Sequence, residues 1–261
     1  MTEKNSRKAL IVGVANDHSI AWGIAQALSQ RGYDLAFTYQ GEALERRVKP
    51  LAESVGAKDF VFPMDVKNPE AVQKVVSALK ERWGGIHALL HCVAFAERKD
   101  LDGKFIDTSR EGFLAALEVS TYSLVSLTRE CKPLLCTEKD AGGSAVLTLS
   151  YYGAEKVIPN YNVMGVAKAA LEATVRYMAA DLGPENIRVN ALSAGPVRTL
   201  AAAGIQGFRG MMKVVEEKAP LRRNVGLDEV GSVGAFLLDK DSSCITGETL
   251  YADSGYHILG M

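Results

Sequence analysis

Short apolar runs alternate with amphipathic stretches along almost the whole chain, and this alternation limits the possible fold most strongly. The runs have the length of buried strands, and the stretches between them have helical spacing. Such alternation predicts an α/β fold in which helices cover both faces of a doubly wound parallel sheet. We expect about seven strands in a single domain over residues 1–261, because the sequence contains no repeat, low-complexity tract or linker.

Composition and charge exclude several classes of protein. The chain is 48% hydrophobic, which allows a large core, and its formal net charge of -1 comes without any basic run. We therefore expect no binding to nucleic acid and no insertion into a membrane, and a cytoplasmic location. The four cysteines and four histidines lack metal-ligand spacing, so we expect no metal site.

Tyr161 and Lys168 are the first candidates for chemistry. They lie seven residues apart at the start of a segment that reads as helix to about Leu182. At 100° per residue, seven steps return to within roughly 20° of the starting direction, so both side chains share one helix face. Upstream, residues 145–150 read as a buried strand that would deliver Tyr151 to the ligand-binding edge of the sheet. Taken alone, the pair is equally compatible with two side chains at a surface.

A tyrosine and a lysine on one helix face, after a strand ending in Ser or Tyr, resemble the short-chain dehydrogenase/reductase superfamily. In its carbonyl reductases the two residues are four apart, and here that position is Met164, which cannot donate a proton. The Tyr-x6-Lys spacing, with Tyr151 ten residues earlier, is similar to the enoyl-acyl-carrier-protein reductases of bacterial fatty-acid synthesis. The resemblance extends from Gly13 to the ending Gly255-Tyr-His-Ile, and it implies a Rossmann-type domain that binds a nicotinamide cofactor.

The spacing also has a geometric rationale. In carbonyl reduction, hydride reaches the carbon that bears the oxygen, so the proton donor stands only about 1.2 Å beyond the hydride acceptor. In an enoyl thioester, hydride reaches the β-carbon and negative charge develops on an oxygen two carbons further away. Moving the tyrosine three residues toward the helix N-terminus displaces it by about 4.5 Å, which suits that oxygen. A carbonyl reductase and a redox-sensing NAD-binding module without turnover remain the alternatives.

The first strand and helix carry a candidate phosphate site. Residues 8–13 read as a strand that ends in Gly13, and Ser19 and Ile20 open a helix after a polar loop. The GxGxxG pattern is missing, but a glycine for a tight turn and a serine at a helix N-cap remain, and the helix amides can face a pyrophosphate. Enoyl reductases of the resembled type share this lengthened loop with Ser-Ile at its end. An ordinary turn and cap is the alternative.

The residue after the second strand indicates the form of the cofactor. In dinucleotide-binding folds an acid at this position selects NAD, and a nearby cation accepts the 2′-phosphate of NADP. Gln40 and Gly41 stand here without an adjacent cation, which favours NADH over NADPH. Arg46 and Arg47 follow more than a helical turn later and leave NADPH as the less favoured cofactor.

Further site residues follow from the resemblance alone. It assigns Asp65 and Val66 to the adenine ring, although a helix-capping Asp65 is the alternative and Asn68 is the better cap. It also assigns Val93 to the nicotinamide ribose, where Lys168 would bind the hydroxyls, and Ala96 to the acyl substrate. In the turn after Gly195 and Pro196, it assigns cofactor binding to Val197, Arg198, Thr199, Leu200 and Ala201. Cys92 and Glu97 depart from the Ser and Pro usual in this family, which affects the expected geometry of that loop.

Two segments suggest a lid and an assembly. Residues 200–217 are rich in Ala and Gly and carry an apolar stripe, typical of a lid over an acyl chain, although plain core is equally compatible. Residues 109–135 read as one long helix, apolar on more than one side. With the helix from Tyr161, the resemblance implies a four-helix interface of a homotetramer, and acyl carrier protein as partner; a larger intrachain core is the alternative.

Overall fold

The computed structural model describes residues 6–138, 142–200 and 202–260. Within them, seven parallel strands form one sheet in the order β3-β2-β1-β4-β5-β6-β7, which confirms the predicted doubly wound fold. The strands are β1 (Lys8–Val12), β2 (Asp34–Tyr39), β3 (Val61–Pro63), β4 (Ala88–His91), β5 (Ser144–Ser150), β6 (Ile187–Ala194) and β7 (Thr249–Ala252). The helices are α1 (Ile20–Gln30), α2 (Gly41–Ser54), α3 (Pro69–Trp83), α4 (Arg98–Leu101), α5 (Arg110–Leu117), α6 (Ser123–Cys131), α7 (Asn162–Leu182), α8 (Phe208–Lys218) and α9 (Leu227–Leu238).

The sheet separates two apolar cores, because successive strand residues point to opposite faces. On β1, Ala9 and Ile11 belong to one core, whereas Leu10 and Val12 belong to the other. Buried residues of α1, α2 and α9 complete the first core, and those of α3, α6 and α7 complete the second. No described helix is long and apolar enough to cross a bilayer.

The strand order reverses between β1 and β4, and the backbone segments that follow these two strands approach each other very closely. β1 pairs with β2 on one side and with β4 on the other. Gly13 follows β1 with φ +109°, and a Cβ at this position would lie 2.0 Å from the carbonyl oxygen of Cys92. Only glycine fits both the backbone angle and the space. A crevice at such a switch point is the usual ligand site of this architecture.

The prediction of one long helix over residues 109–135 is wrong in detail. A π-helical turn at Glu118–Tyr122 separates α5 from α6, and a 3₁₀ turn at Lys132–Leu134 follows α6. The widened turn directs two hydroxyls to neighbouring segments: the main-chain N–H of Phe95 donates to Ser120 Oγ at 3.0 Å, and Thr121 Oγ1 donates to the carbonyl oxygen of Ala167 at 2.9 Å. These contacts join the turn to the loop after β4 and to α7.

Other elements differ from the prediction mainly at their ends. β4 is shorter than expected, since Ile86 forms only an isolated bridge with Leu135. Asn68 caps α3 as expected, because its side chain accepts hydrogen bonds from the N–H groups of Glu70 at 3.0 Å and Ala71 at 3.2 Å. Asp65 is therefore not the cap of this helix.

α1 and α9 pack closely through glycines. A Cβ on Gly231 would lie 2.5 Å from the carbonyl oxygen of Gly23, and a Cβ on Gly23 would lie 2.8 Å from that of Leu227. Because backbone surrounds both positions, neither helix can make room without moving as a whole.

We expect Gly231→Ala to lower the free energy of unfolding by about 1–3 kcal/mol, since it overpacks this contact. Gly210→Ala is the matched control, because a Cβ there meets nothing within 4 Å. In α8 that change should be neutral or stabilising by up to about 1 kcal/mol. Urea denaturation of both variants measures the difference, and equal stabilities would contradict the assigned α1–α9 contact.

Candidate active site

A cavity of about 570 Å³ lies at the carboxyl edge of the sheet. Residues that follow six of the seven strands line it: Gly13 after β1, Gln40 after β2, Val66 after β3, Val93 after β4, Tyr151 after β5 and Val197 after β6. The segment around α8 closes the other side through Leu200, Ile205, Phe208 and Met211. The sheet thus brings residues that are distant in sequence to one concave surface.

Most of the residues predicted from sequence line this cavity: Gly13, Ser19, Ile20, Gln40, Val66, Val93, Ala96, Tyr151, Tyr161, Lys168, Val197, Thr199 and Leu200. Three do not. Asp65 accepts a hydrogen bond at 2.8 Å from Nε2 of Gln40, which does line the cavity. Arg198 lines a neighbouring cavity, and Ala201 lies outside the described residues.

Tyr161 stands at the N-cap position of α7, directly before the helix. Its side chain is buried, and its ring packs edge-on against Tyr151, with 5.0 Å between the ring centroids and 75° between the planes. Burial raises the pKa of both phenols, so both are protonated at neutral pH. Within the described part of the chain, the Tyr161 hydroxyl has no hydrogen-bond partner, whereas the Tyr151 hydroxyl donates to Met211 Sδ at 2.8 Å.

Lys168 shares the cavity with Tyr161, as their helical spacing predicts. Only 6% of the side chain is exposed, and Nζ donates to the carbonyl oxygen of Leu149, on β5, at 2.6 Å. Burial lowers the pKa of Lys168 to about 8. The ammonium is therefore charged at neutral pH but close to losing its proton.

Ser19, after β1, and Thr199, after β6, have mainly local contacts. Ser19 occupies the N-cap position of α1, but its Oγ accepts hydrogen bonds from the N–H groups of Ala15 at 3.0 Å and Asn16 at 3.1 Å. It shapes the loop and leaves α1 without a side-chain cap, and among the described residues the N–H of Ile20, the first of the helix, remains available to an anion. Thr199 Oγ1 accepts the N–H of Ala202 at 3.1 Å.

Some cavity residues were not identified from sequence as part of the site. Met164 lines the cavity in the position that carries the tyrosine in carbonyl reductases. Arg98 and Leu101 of α4 also line it, and no periodic or motif signal in their short segment marked them. His91 lies beneath the cavity, fully buried, with ring nitrogens 2.9 Å from Thr148 Oγ1 and 2.7 Å from Ser123 Oγ. Burial lowers the pKa of His91 to about 3, so it is neutral at physiological pH.

The buried lysine gives a stability prediction that does not depend on activity. In the unfolded chain the pKa is 10.5, against about 8 in the fold, so burying the charge costs on the order of 3 kcal/mol at neutral pH. Lys168→Met removes this cost but also a hydrogen bond worth about 1 kcal/mol. We therefore expect the variant to be more stable at pH 7 by roughly 2 kcal/mol.

The pH dependence of this difference is the sharper measurement. Between about pH 8 and 10.5 only the unfolded wild-type chain keeps the proton, so wild-type stability rises relative to the variant over this range. Urea denaturation of both proteins at several pH values follows the difference. A difference that stays constant would mean that Lys168 is not buried as described.

A switch-point cavity that collects a tyrosine and a lysine from one helix defines a Rossmann-type oxidoreductase of the short-chain dehydrogenase/reductase class. The sequence comparisons identify the family within this class. The profile described as Enoyl-(Acyl carrier protein) reductase matches residues 13–257. The chain belongs to this family.

Individual relatives agree with this assignment. The chain is 49% identical to the NADH enoyl-acyl-carrier-protein reductase FabI of Rickettsia felis over 97% of this chain and 95% of the relative. It is 50% identical to the Bacillus cereus enzyme of the same name, over 96% of each chain. Among solved structures, the Bacillus cereus reductase with NADP+ and indole naphthyridinone has a TM-score of 0.93 at 49% identity, covering 98% of both chains. The Aquifex aeolicus reductase (NADH) has a TM-score of 0.93 at 45% identity, with the same coverage.

Proposed function

We propose that this chain reduces the trans-2 double bond of enoyl thioesters on acyl carrier protein with NADH, in the elongation cycle of type II fatty-acid synthesis. One observation carries the proposal. Tyr161 and Lys168, seven residues apart, line one cavity, and the intermediate position that would serve a carbonyl reductase is the non-donating Met164. The family and the NADH reductases among the relatives support the same activity.

The cavity residues fit a dinucleotide. Gly13 lines the cavity beside the start of α1, which has no side-chain cap, and this suits a pyrophosphate. Ser19 and Ile20 would hold that group through the main chain, together with Thr199. The linked pair of Gln40 and Asp65, with Val66, would contact the adenosine, and no cation lines this end of the described cavity, which favours NADH over NADPH.

The nicotinamide end would be held by the loops after β4 and β6. Val93 and Lys168 would contact the ribose, and the main chain at Val197 would bind the carboxamide, with Arg198 and Leu200 in the same segment. Ala201 belongs to this proposed set as well. When bound, NADH supplies the hydride that the β-carbon of the substrate receives.

The protein's own contribution is to stabilise charge on the thioester oxygen. Tyr161 would donate a hydrogen bond to this oxygen as the enolate forms, because its hydroxyl has no other partner among the described residues. Lys168 would hold the ribose hydroxyls, and its positive charge lowers the cost of the negative charge nearby. Tyr151 would position the substrate or relay a proton, and Ala96 would contact the acyl group of the substrate.

We expect Tyr161→Phe to lower kcat/KM for crotonyl thioester by about 100-fold or more, since a single oxyanion donor is worth about 3 kcal/mol. Tyr151→Phe should have a smaller effect, because that hydroxyl already donates to Met211. NADH oxidation with each purified variant measures both effects, and NADH affinity is the control for correct folding. Undiminished turnover in Tyr161→Phe would remove the phenol from the mechanism.

The alternatives are separated by substrate. We expect turnover of crotonyl thioester with NADH to exceed that of acetoacetyl thioester, because the phenol stands in the position suited to the more distant oxygen. NADPH should be the poorer cofactor in the same assay. Preference for the acetoacetyl substrate would identify a carbonyl reductase, and NADH binding without turnover on any enoyl thioester would identify a sensing module.

A lid and an assembly complete the proposal. Residues 200–217 would act as the lid, since Ile205, Phe208 and Met211 line the cavity and Asn160 Nδ2 donates a hydrogen bond to the carbonyl oxygen of Gln206 at 2.9 Å.

A homotetramer would cover apolar side chains that are exposed on α5, the following π turn and α7, namely Leu114, Tyr122, Val166 and Tyr177. Sedimentation velocity tests the tetramer, whereas a monomer would contradict it. Acyl carrier protein would present the substrate, in the cytoplasm.

A further inference from the structure

Glu172 lies one turn after Lys168 on α7 and is 7% exposed. Its Oε1 accepts a hydrogen bond from Ser150 Oγ, at the end of β5. One residue earlier on β5, the carbonyl oxygen of Leu149 accepts the hydrogen bond from Lys168 Nζ. Two successive turns of α7 therefore hold two successive residues of β5, directly before Tyr151.

The charge of Lys168 depends on few neighbours. Burial lowers its pKa, and two groups oppose this, Cys92 and Glu172. Burial raises the pKa of the Cys92 thiol to about 11, so this thiol carries no charge near pH 8. His91 also faces the ammonium, but it is neutral because its pKa is about 3. Glu172 is thus the group whose negative charge can balance the positive charge of Lys168.

Several groups face Glu172 in turn. Burial raises the pKa of its carboxyl, and Glu155, in the loop after β5, acts in the same direction. The hydrogen bond from Ser150 and the charges of Arg176 and Lys168, all near the carboxylate, lower the pKa. On other elements, the negative charge of Glu172 contributes to raising the pKa values of the phenols of Tyr161 and of Tyr251, on β7.

We propose that Glu172 is a positioning residue for the Tyr161–Lys168 pair: its carboxylate balances the buried ammonium and fastens the end of β5 to α7. Glu172 is not among the residues that line the cavity, so it would act through Lys168 without contacting substrate or cofactor. This inference rests on the proposed function, because it concerns the same pair. Its chemical consequence is a wider pH range in which Lys168 remains charged while Tyr161 remains protonated.

The test is the alkaline limb of kcat/KM for NADH, which reports the pKa of the free enzyme. In the wild type we expect activity to fall with a midpoint near the Lys168 value of about 8. Glu172→Gln keeps the shape and the hydrogen-bonding oxygen but removes the charge, so the midpoint should move down by about one pH unit. The variant should then lose roughly 8-fold at pH 8.5 but less than 2-fold at pH 6.5.

Three further variants separate charge from packing. Glu172→Leu removes the charge with different packing; it leaves the buried ammonium without its anion and should lower stability, and the same downward shift of the midpoint is expected. Ser150→Ala breaks the link to β5 but leaves the charge, and the midpoint should stay in place although thermal stability falls. Asp181→Asn removes an exposed carboxylate from the same helix and should change neither.

The outcomes are distinct. A downward shift in both neutral Glu172 variants, without one in Ser150→Ala or Asp181→Asn, supports the proposal. An unshifted midpoint in Glu172→Gln overturns it, and so does an equal shift in Ser150→Ala, because packing alone would then explain the effect. If the wild type bound NADH but reduced no enoyl thioester, the proposed function would fail, while the pH dependence of NADH binding would still test Glu172.

Discussion

The contact of Lys168 with the end of β5 is the interaction on which the arrangement of the site depends. An ammonium is taken out of water and given one carbonyl oxygen, at 2.6 Å, in place of its hydration shell. That exchange is unfavourable for folding by itself. It persists because the large apolar surfaces of α7, through residues such as Leu171 and Val175, are buried in the core below. The same burial makes the charge of the lysine sensitive to each nearby group.

Much of the fold follows from local sequence pattern. The alternation of apolar runs and helical stretches predicts the seven strands and their parallel order, since parallel strands need helical crossovers. The Tyr161–Lys168 spacing correctly predicts that both side chains reach one cavity, although Tyr161 stands at the N-cap, just before the regular turns of α7. Residues at strand ends, such as Gly13 and Val93, are also predictable, since every strand of such a sheet ends at the same edge.

The remaining features depend on contacts between distant segments. Nothing local to residues 118–122 marks the π turn, whose hydroxyls contact Phe95 and Ala167. The burial of Glu172 likewise depends on a partner 22 residues away on another element. Ser19 looks like a helix cap in sequence, yet its hydroxyl contacts the preceding loop, because that loop is longer than usual and turns back over it. In each case the structure depends on a contact that the local sequence pattern does not reveal.

The glycine contact between α1 and α9 joins the second element of the chain to one of its last. During synthesis, β1 and α1 leave the ribosome about two hundred residues before α9 does. Until then the surface of α1 that packs against Gly231 is exposed, and the core on that face of the sheet cannot be completed. Completion of this half of the molecule is therefore delayed to the end of translation, so the nascent chain exposes apolar surface throughout elongation and is open to chaperones or to aggregation.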